Sequence, residues 1–321
     1  MSGIRNVAVI GAGLAGIAAA RVLAESGLAV TIFDKGRQPG GRLATRKSQG
    51  FTFNHGCQFL APRDAGFAAA VKTFSAPWRQ AGEGRRAAVP DMAGLAAALV
   101  PAAARLVLET HVSFLARDTA GWRLSFWDAA EVAPGFTGPG GAIAGPFDAV
   151  ILAIPAPQAR GLLEAAGHDF AAALEGVEIA PCWALMLGFG EDVAGPAVIE
   201  DGGAISWIAR ENSRPGAAQM PVGYTVHASP EWSVAHLEDT AEAVTALLLP
   251  VFRALTGIHA APVYVKAHRW RHARAEKPLG QNFLWDDEQR LGVCGDWCLA
   301  GRLEAAWLSG QALGIRLAHD R

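Results

Sequence analysis

IRNVAVIGAGLAGIAAARVLAESGLAVTIFD, residues 4–34, decides the fold. Ile4 to Ile10 is a short apolar run of the kind buried on both faces of a parallel sheet. Gly11-Ala-Gly13-Leu-Ala-Gly16 follows, then an Ala- and Leu-rich helix to about Ser26, ended by Gly27. Leu28 to Phe33 is a second apolar strand, closed by Asp34. In this strand–turn–helix–strand context the glycines have separate tasks. Gly11 permits a tight turn, Gly13 lets backbone approach a pyrophosphate, and Gly16 lets helix pack on strand. The helix start offers free N–H groups to phosphates, and Asp34 is placed to accept ribose hydroxyls of an adenosine. Val7 to Ala20 also imitates a signal peptide, being uncharged, preceded by Arg5 and ending in Ala-Ala-Ala. It is too short to span a bilayer, and its glycine pattern serves no secretory purpose.

Two further segments fit the same kind of ligand. Asp34-Lys35-Gly-Arg-Gln-Pro-Gly-Gly41-Arg42 follows the adenosine acid directly. Its paired glycines bring backbone near a ligand, and Arg42 can meet a phosphate or the pyrimidine edge of a flavin. The competing reading is a solvated basic loop. Near the far end, Leu291 to Cys294 reads as a strand, Gly295-Asp296 follows, and a helix runs from about Leu303 to His319. Asp296 is placed to accept from ribityl hydroxyls, and the helix start would face a ring that gains negative charge on reduction. A plain βα unit completing the sheet would look much the same. Between these ends, Leu106 to His111, Gly121 to Trp127 and Phe147 to Ile154 read as strands, with a Gly/Pro-rich loop over Val132 to Gly145. Pro62, Pro77 and Pro90 break the 51–105 region.

Composition bounds the function. The chain has 321 residues, about two domains' worth at roughly 150 each. Hydrophobic residues make up 51%, enough for a large core. Lys plus Arg is 28 against 30 Asp plus Glu, a net charge of −2, which does not suggest a nucleic-acid coat or a polybasic membrane anchor. Cys57, Cys182, Cys294 and Cys298 form neither a disulfide framework nor a zinc pattern, so reduced thiols, a cytoplasmic location and no metal are expected. No internal repeat or heptad pattern is present. From Gln158 to Arg290 the texture changes, with a helix over Leu237 to Leu255 and strands over Ala184 to Phe189 and Tyr224 to Ala228. Trp183, Trp207, Trp232, Trp270 and Trp285 fall there, a density that suits a pocket for a flat ligand as well as core packing.

GAGLAG with DKG–PGGR, the NHGCQF segment at 54–59, AIPAPQ at 153–158, AHRWRHAR at 267–274 and CGDWCLAGRLEAAWLSGQ at 294–311 together resemble the renalase-like branch of the FAD-dependent amine-oxidase superfamily, over nearly the whole chain. The glycine motif and GGR are shared by the wider superfamily; the tail and the AHRW segment are more particular. The resemblance implies an α/β fold like p-hydroxybenzoate hydroxylase. A Rossmann-type FAD-binding domain (1–60, 106–157 and 290–321) would carry an inserted α+β substrate domain (61–105 and 158–289). It implies non-covalent FAD and oxidation of misreduced dihydro-NAD(P) isomers. Hydride would pass to flavin N5, and oxygen would take the electrons as hydrogen peroxide. Carried over by motif, FAD contacts fall on Gly11, Gly13, Ala15, Gly16, Asp34, Lys35, Gly41, Arg42, Gln58, Phe59, Val112, Gly295, Asp296 and Glu304. NHGCQF departs from the pattern at Cys57 and Phe59, where Ala and Tyr are expected, so no tyrosine hydroxyl is available there.

Hydride loss from a dihydronicotinamide restores aromaticity and needs alignment rather than a base, so no catalytic triad is expected. Candidate substrate contacts are His227, Trp232, His268, Arg269, Trp270 and Arg274, the arginines for a phosphate and the tryptophans for stacking. Each histidine is equally readable as a hydrogen-bonded core group, each tryptophan as core, and the arginines as a surface cluster with Glu276. Two other functions stay open. An amine oxidase or carotenoid-type desaturase of the same fold expects an aromatic cage and few arginines; a non-catalytic flavin- or nucleotide-binding sensor expects a flavin that dihydronucleotides do not reduce. No nucleic-acid or membrane partner is expected, and oligomeric state is open.

Overall fold

The computed structural model describes residues 3–133, 135–200 and 203–319, so the outermost limits drawn above (residues 1, 2, 320 and 321) and Pro134 of the Gly/Pro loop lie outside it. The chain divides into two units. One comprises Met1–Gly41, Ala96–Glu178 and Ala275–Arg321; the other comprises Arg42–Leu95 and Ile179–Arg274.

The first unit is a Rossmann-type α/β domain. Its six-stranded sheet runs Leu284–Asp286, Leu291–Val293, Ala149–Leu152, Asn6–Ile10, Ala29–Phe33, Arg105–Val107. The opening strand sits inside it, parallel to both neighbours, with Val7 opposite Ala149 on one side and Val30 on the other. Covered on both faces, Val7, Ala8 and Val9 are fully buried, which is why this strand is an unbroken apolar run. Only the edge strand Leu284–Asp286 pairs antiparallel in this sheet. A three-stranded antiparallel sheet (Thr110–Asp118, Gly121–Asp128, Ala142–Phe147) belongs to the same unit. The run expected over 147–154 splits at Asp148, whose Oδ2 accepts from Arg5 N (2.8 Å) and Asn6 N (2.9 Å) at the start of the opening strand. The Gly/Pro loop in turn supplies the strand that begins at Ala142. Helix Leu303–Ala318 lies against helix Leu14–Glu25 so closely that a Cβ on Gly310 would stand 1.9 Å from the Ala15 carbonyl oxygen.

The second unit is built on a five-stranded sheet ordered Val198–Glu200, Ile205–Arg210, Gly223–Ala228, Glu178–Gly188, Tyr264–Lys277. Alternation divides its residues cleanly. Trp183, Leu185, Leu187, Tyr224 and Val226 face a core completed by Val244, Leu248 and Phe252 of helix Ala241–Thr256. Each such buried side chain contributes about 1.5–3 kcal/mol. That helix starts where the Thr240 hydroxyl accepts from Ala243 N and ends at Gly257, whose φ of 72° reverses the chain. On the opposite face, Met186 packs with Phe51, Phe53 and Tyr264.

The unit boundaries differ from those drawn on the sequence. Residues 42–60 group with the second unit because Phe51 and Phe53, in the hairpin Arg46–Ser48/Phe51–Phe53, are held by its sheet. Residues 158–178 and 275–289 group with the first. Leu162 and Leu163 are buried there, and Leu284–Asp286 extends the parallel sheet by pairing with Leu291–Val293. Among the described residues no helix is long and apolar enough to cross a membrane.

Candidate functional site

In the first unit the three sequence motifs fold into a backbone cradle. Gly11 takes φ 109°, its N–H donates to the Phe33 carbonyl (2.7 Å), and a Cβ on it would strike the Ala153 carbonyl. A Cβ on Gly16 would stand 1.9 Å from the Gly11 oxygen. These two glycines are demanded by the fold itself. Gly13 is different. Its φ is −72°, open to any residue, and a Cβ there would meet no protein atom within 4 Å. The space over Gly13 is therefore kept for something other than protein, at the start of helix Leu14–Glu25 where amides face a phosphate. The 34–41 loop closes over it: Gly40 N donates to the Ala12 carbonyl (2.8 Å), and Gly41 lies beside the Gly13 Cα.

Asp34 shapes this loop. One carboxylate oxygen accepts from Ala12 N and the other from Gly36 N, both at 2.7 Å. Burial pushes its carboxyl above the ordinary range, against those amides and the neighbouring Lys35 cation. Lys35 itself is exposed and Ala15 is buried under the C-terminal helix. Val112 is buried on the strand whose Thr110 N donates to the Asp34 carbonyl. Asp296 and Glu304 are buried acids flanking the start of helix Leu303–Ala318. Gly295 N donates to the Ser309 hydroxyl (3.0 Å), and a Cβ on Gly295 would collide with Trp297. The residues present fit FAD: an open backbone face for a pyrophosphate, an acid at the adenosine end, and buried acids beside a helix start. Gly13→Ala should accordingly leave the stability of the cofactor-free protein unchanged while lowering FAD affinity about tenfold or more. FAD per chain after purification and thermal unfolding of the apoprotein check this.

Arg42, Gln58 and Phe59, expected at the cofactor, are engaged within the second unit. Arg42 Nη1 donates to the Ala273 carbonyl (3.0 Å), and its own carbonyl accepts from Cys57 N. Gln58 is buried. Its Oε1 accepts from Trp207 Nε1 (3.0 Å) and Arg214 Nη2 (2.9 Å), and its amide nitrogen donates to the Asn54 and Gly56 carbonyls. Phe59 packs on Trp207 with the Arg85 guanidinium 4.2 Å from its ring.

The same unit gathers a cluster that composition alone does not reveal. His55, His268 and Trp270 meet with ring centres 4.5–5.4 Å apart. Trp270 Nε1 donates to the His55 carbonyl (2.9 Å), which also lies 3.1 Å from His227 Nε2. Burial holds all three imidazoles neutral: His55 falls to about 3, with help from His268 and Arg46, and His227 and His268 fall to about 4. Beneath the cluster, Glu211 accepts from Arg214 Nε (2.7 Å), Thr225 Oγ1 (2.5 Å), Asn54 N (3.0 Å) and Asn54 Nδ2 (2.9 Å). The sequence reading takes His55 only as part of NHGCQF and not as a candidate contact; its spacing after Phe51 and Phe53 is the signal that points it to their face.

The six expected substrate residues do not share one place. His227, His268 and Trp270 come together. Arg269 points across the sheet, where its Nη1 donates to the Leu237 carbonyl (2.6 Å) and its guanidinium lies over Trp183. Trp232 stacks on His236 and packs on the helix-side core. Glu238 takes both guanidinium nitrogens of Arg271 at 2.7 Å. Alternation puts Arg274, exposed, on the face of His268 and Trp270. Of the five tryptophans, Trp183 and Trp207 are core, and Trp285 donates to Asp287. All four cysteines carry free thiols, and the described residues hold no cluster of three or more metal-ligating side chains.

Family comparison agrees with this architecture. An NAD(P)-binding Rossmann-like domain model matches residues 9–72, and the flavin containing amine oxidoreductase model matches residues 65–312. The chain belongs to the flavin containing amine oxidoreductase family. The family is a flavin-containing one, and FAD is the group the glycine cradle of this chain is shaped to hold. Among curated relatives, 4,4'-diapophytoene desaturase of Staphylococcus haemolyticus is 54% identical over 50 residues, 16% of this chain and 10% of that protein. The enzyme of that name from Staphylococcus aureus strain Newman is 52% identical over 51 residues. The chain thus matches about a tenth of these relatives' length. Solved structures share the fold at low identity. A protein of Exiguobacterium sp. 255-15 provisionally named protoporphyrinogen oxidase superposes with TM-score 0.76, 13% identity and full coverage of both chains. Putrescine oxidase bound to putrescine gives 0.70 at 12% identity, covering 97% of this chain and 98% of that one. Cyclohexylamine oxidase from Brevibacterium oxydans gives 0.67 at 13%, covering 99% of each.

Proposed function

We propose that this amine oxidoreductase family member is a renalase-like oxidase of misreduced dihydro-NAD(P) isomers, using oxygen and releasing hydrogen peroxide. The observation that carries the reading is the character of the His55–His227–His268–Trp270 cluster: flat, hydrogen-bonding and uncharged. A heteroaromatic ring with an amide substituent can stack on such groups and exchange hydrogen bonds with them. Bound FAD would accept the hydride and pass the electrons to oxygen. The chain's own part is alignment. Trp270 and His227 are fixed through the single His55 carbonyl, so the rings form a preset surface rather than a mobile one. Neutral imidazoles neither repel the nicotinium that hydride loss creates nor remove a proton, which this reaction does not require.

The matched curated relatives are desaturases and the solved neighbours include amine oxidases, but the side chains of this cluster suit those substrates less well. The carboxylate that enters this network, Glu211, is committed to Arg214, Asn54 and Thr225 and is not presented to an ammonium group. A hydrocarbon substrate would make no use of the polar edges of these imidazoles. The test is oxygen uptake with peroxide measurement, offering dihydro-NAD(P) isomers, small amines and a carotenoid precursor to the FAD-loaded protein. Peroxide formed in step with a dihydronicotinamide and with neither other class is the expected result. Turnover of amines alone would replace this reading.

A further inference from the structure

Arg46 is one of two arginines of the second unit, with Arg253 on helix Ala241–Thr256, whose buried Nε finds no hydrogen-bond partner among the described residues. Lys47 beside Arg46 is paired with Asp91 at 2.8 Å, Arg214 with Glu211, Arg210 with Asp192, and Arg269 and Arg271 with Glu238. Arg46 enters no ion pair among the described residues, and its Nε is buried with no hydrogen-bond partner. Its direction follows from register. Arg46 lies opposite Phe53 in the antiparallel hairpin, so the two side chains share a face. Phe53 stacks on Tyr264, with centres 5.2 Å apart and planes 18° from parallel. Along the strand from Tyr264, alternation carries that face through Lys266 to His268 and Trp270. His55 is buried within the same group, and its Nδ1 makes no hydrogen bond of standard geometry. An unpaired guanidinium, an exposed lysine and a buried imidazole thus meet at one end of the ring cluster.

We infer that Arg46, assisted by Lys266, binds a phosphate of the substrate, the role the sequence had offered to Arg269 and Arg274. The inference rests on the dihydronicotinamide reading. Arg46 is suited to it because a guanidinium grips phosphate oxygens in a two-pronged manner, and here no carboxylate competes. The phosphate is either the dinucleotide pyrophosphate or the ribose phosphate of the NADP form.

The experiment uses the FAD-loaded protein and its Arg46→Gln, Arg46→Lys and Lys266→Gln variants. Anaerobic flavin reduction is followed against concentration of dihydro-NAD and dihydro-NADP isomers and of dihydronicotinamide riboside, which carries no phosphate. Arg46→Gln should raise half-saturation for the phosphate-bearing substrates roughly tenfold or more. The riboside should be unaffected and the limiting rate nearly so. Arg46→Lys should recover part of the loss, and Lys266→Gln should show a smaller one. A loss confined to dihydro-NADP places the ribose phosphate at Arg46; an equal loss with both dinucleotides places the pyrophosphate there. Inorganic pyrophosphate should raise the melting temperature of the wild type and not of Arg46→Gln. Riboside and dinucleotide weakened alike, no change in any arm, or loss of FAD from Arg46→Gln would each overturn the inference. If no dihydronicotinamide reduces the wild type, the functional reading fails, and the pyrophosphate melting shift alone then decides whether Arg46 is an anion site.

Discussion

Gly310→Ala should destabilise the protein by about 3 kcal/mol and strip it of most of its FAD. The added methyl would lie 1.9 Å from the Ala15 carbonyl oxygen and 2.9 Å from the Ala15 Cα, both backbone atoms that cannot rotate away. Helices Leu14–Glu25 and Leu303–Ala318 would have to separate. The first of these begins at Gly13 and carries the phosphate-facing amides, so its shift reaches the cofactor directly. Gly161→Ala is the control. In helix Ala156–Ala165 its Cβ would sit 3.5 Å from Thr137 Cγ2, an ordinary contact, and removing a helical glycine should stabilise by up to about 1 kcal/mol. Urea unfolding and flavin content of both variants give the comparison. Equal midpoints for Gly310→Ala and wild type would mean that the two helices do not approach as described.

The second large effect belongs to Glu211. It and Arg214 form an ion pair whose side chains are each 4% exposed. Glu211→Ala leaves the Arg214 charge buried and takes an acceptor from Thr225 and from the amide and side chain of Asn54. Removing one partner of a buried pair costs about 3–5 kcal/mol. Replacing both, Glu211→Leu with Arg214→Met, should cost less than either single change, because no charge is then stranded. The loop over 54–58 should loosen as well, since Arg214 Nη1 donates to the Gln58 carbonyl at 2.6 Å. Denaturant midpoints of the singles and the double form the cycle; strict additivity would show that the pair is not coupled.

The cofactor half of the molecule was legible because close packing of strand and helix, as well as phosphate binding, constrains backbone. Gly11 and Gly16 are required by close approach, and such requirements leave glycines at fixed spacing in any sequence that meets them. The opening strand was legible because burial on both faces forbids polar residues. The substrate half was not, for equally physical reasons. His55, His227, His268 and Trp270 converge from a loop and two strands far apart in the chain, and no local spacing encodes that meeting. Arg269 and Trp270 are neighbours in sequence, yet strand alternation sends them to opposite faces, so a run of cations and aromatics read as one site becomes two. Gln58 and Phe59 rest on a motif resemblance, which does not say which unit's residues their side chains meet. Here Gln58 ties the loop to Trp207 and Arg214. The sequence reading places this boundary at residue 60, whereas the two units divide after Gly41; the short hairpin at 46–53 carries too few residues to show periodicity, and Phe51 and Phe53 decide its allegiance by packing.

The central claim is that a dihydronicotinamide delivers hydride to FAD held by this chain. Anaerobic stopped-flow mixing tests it without help from oxygen or coupled assays. The FAD-loaded protein is mixed with separate dihydro-NAD isomers, ordinary NADH included, and with a small amine, and the flavin absorbance is followed. The account predicts rapid, saturable bleaching by an isomer reduced at the wrong ring carbon, slow or no bleaching by ordinary NADH, and none by the amine. Bleaching by the amine with none by any dihydronicotinamide would contradict it.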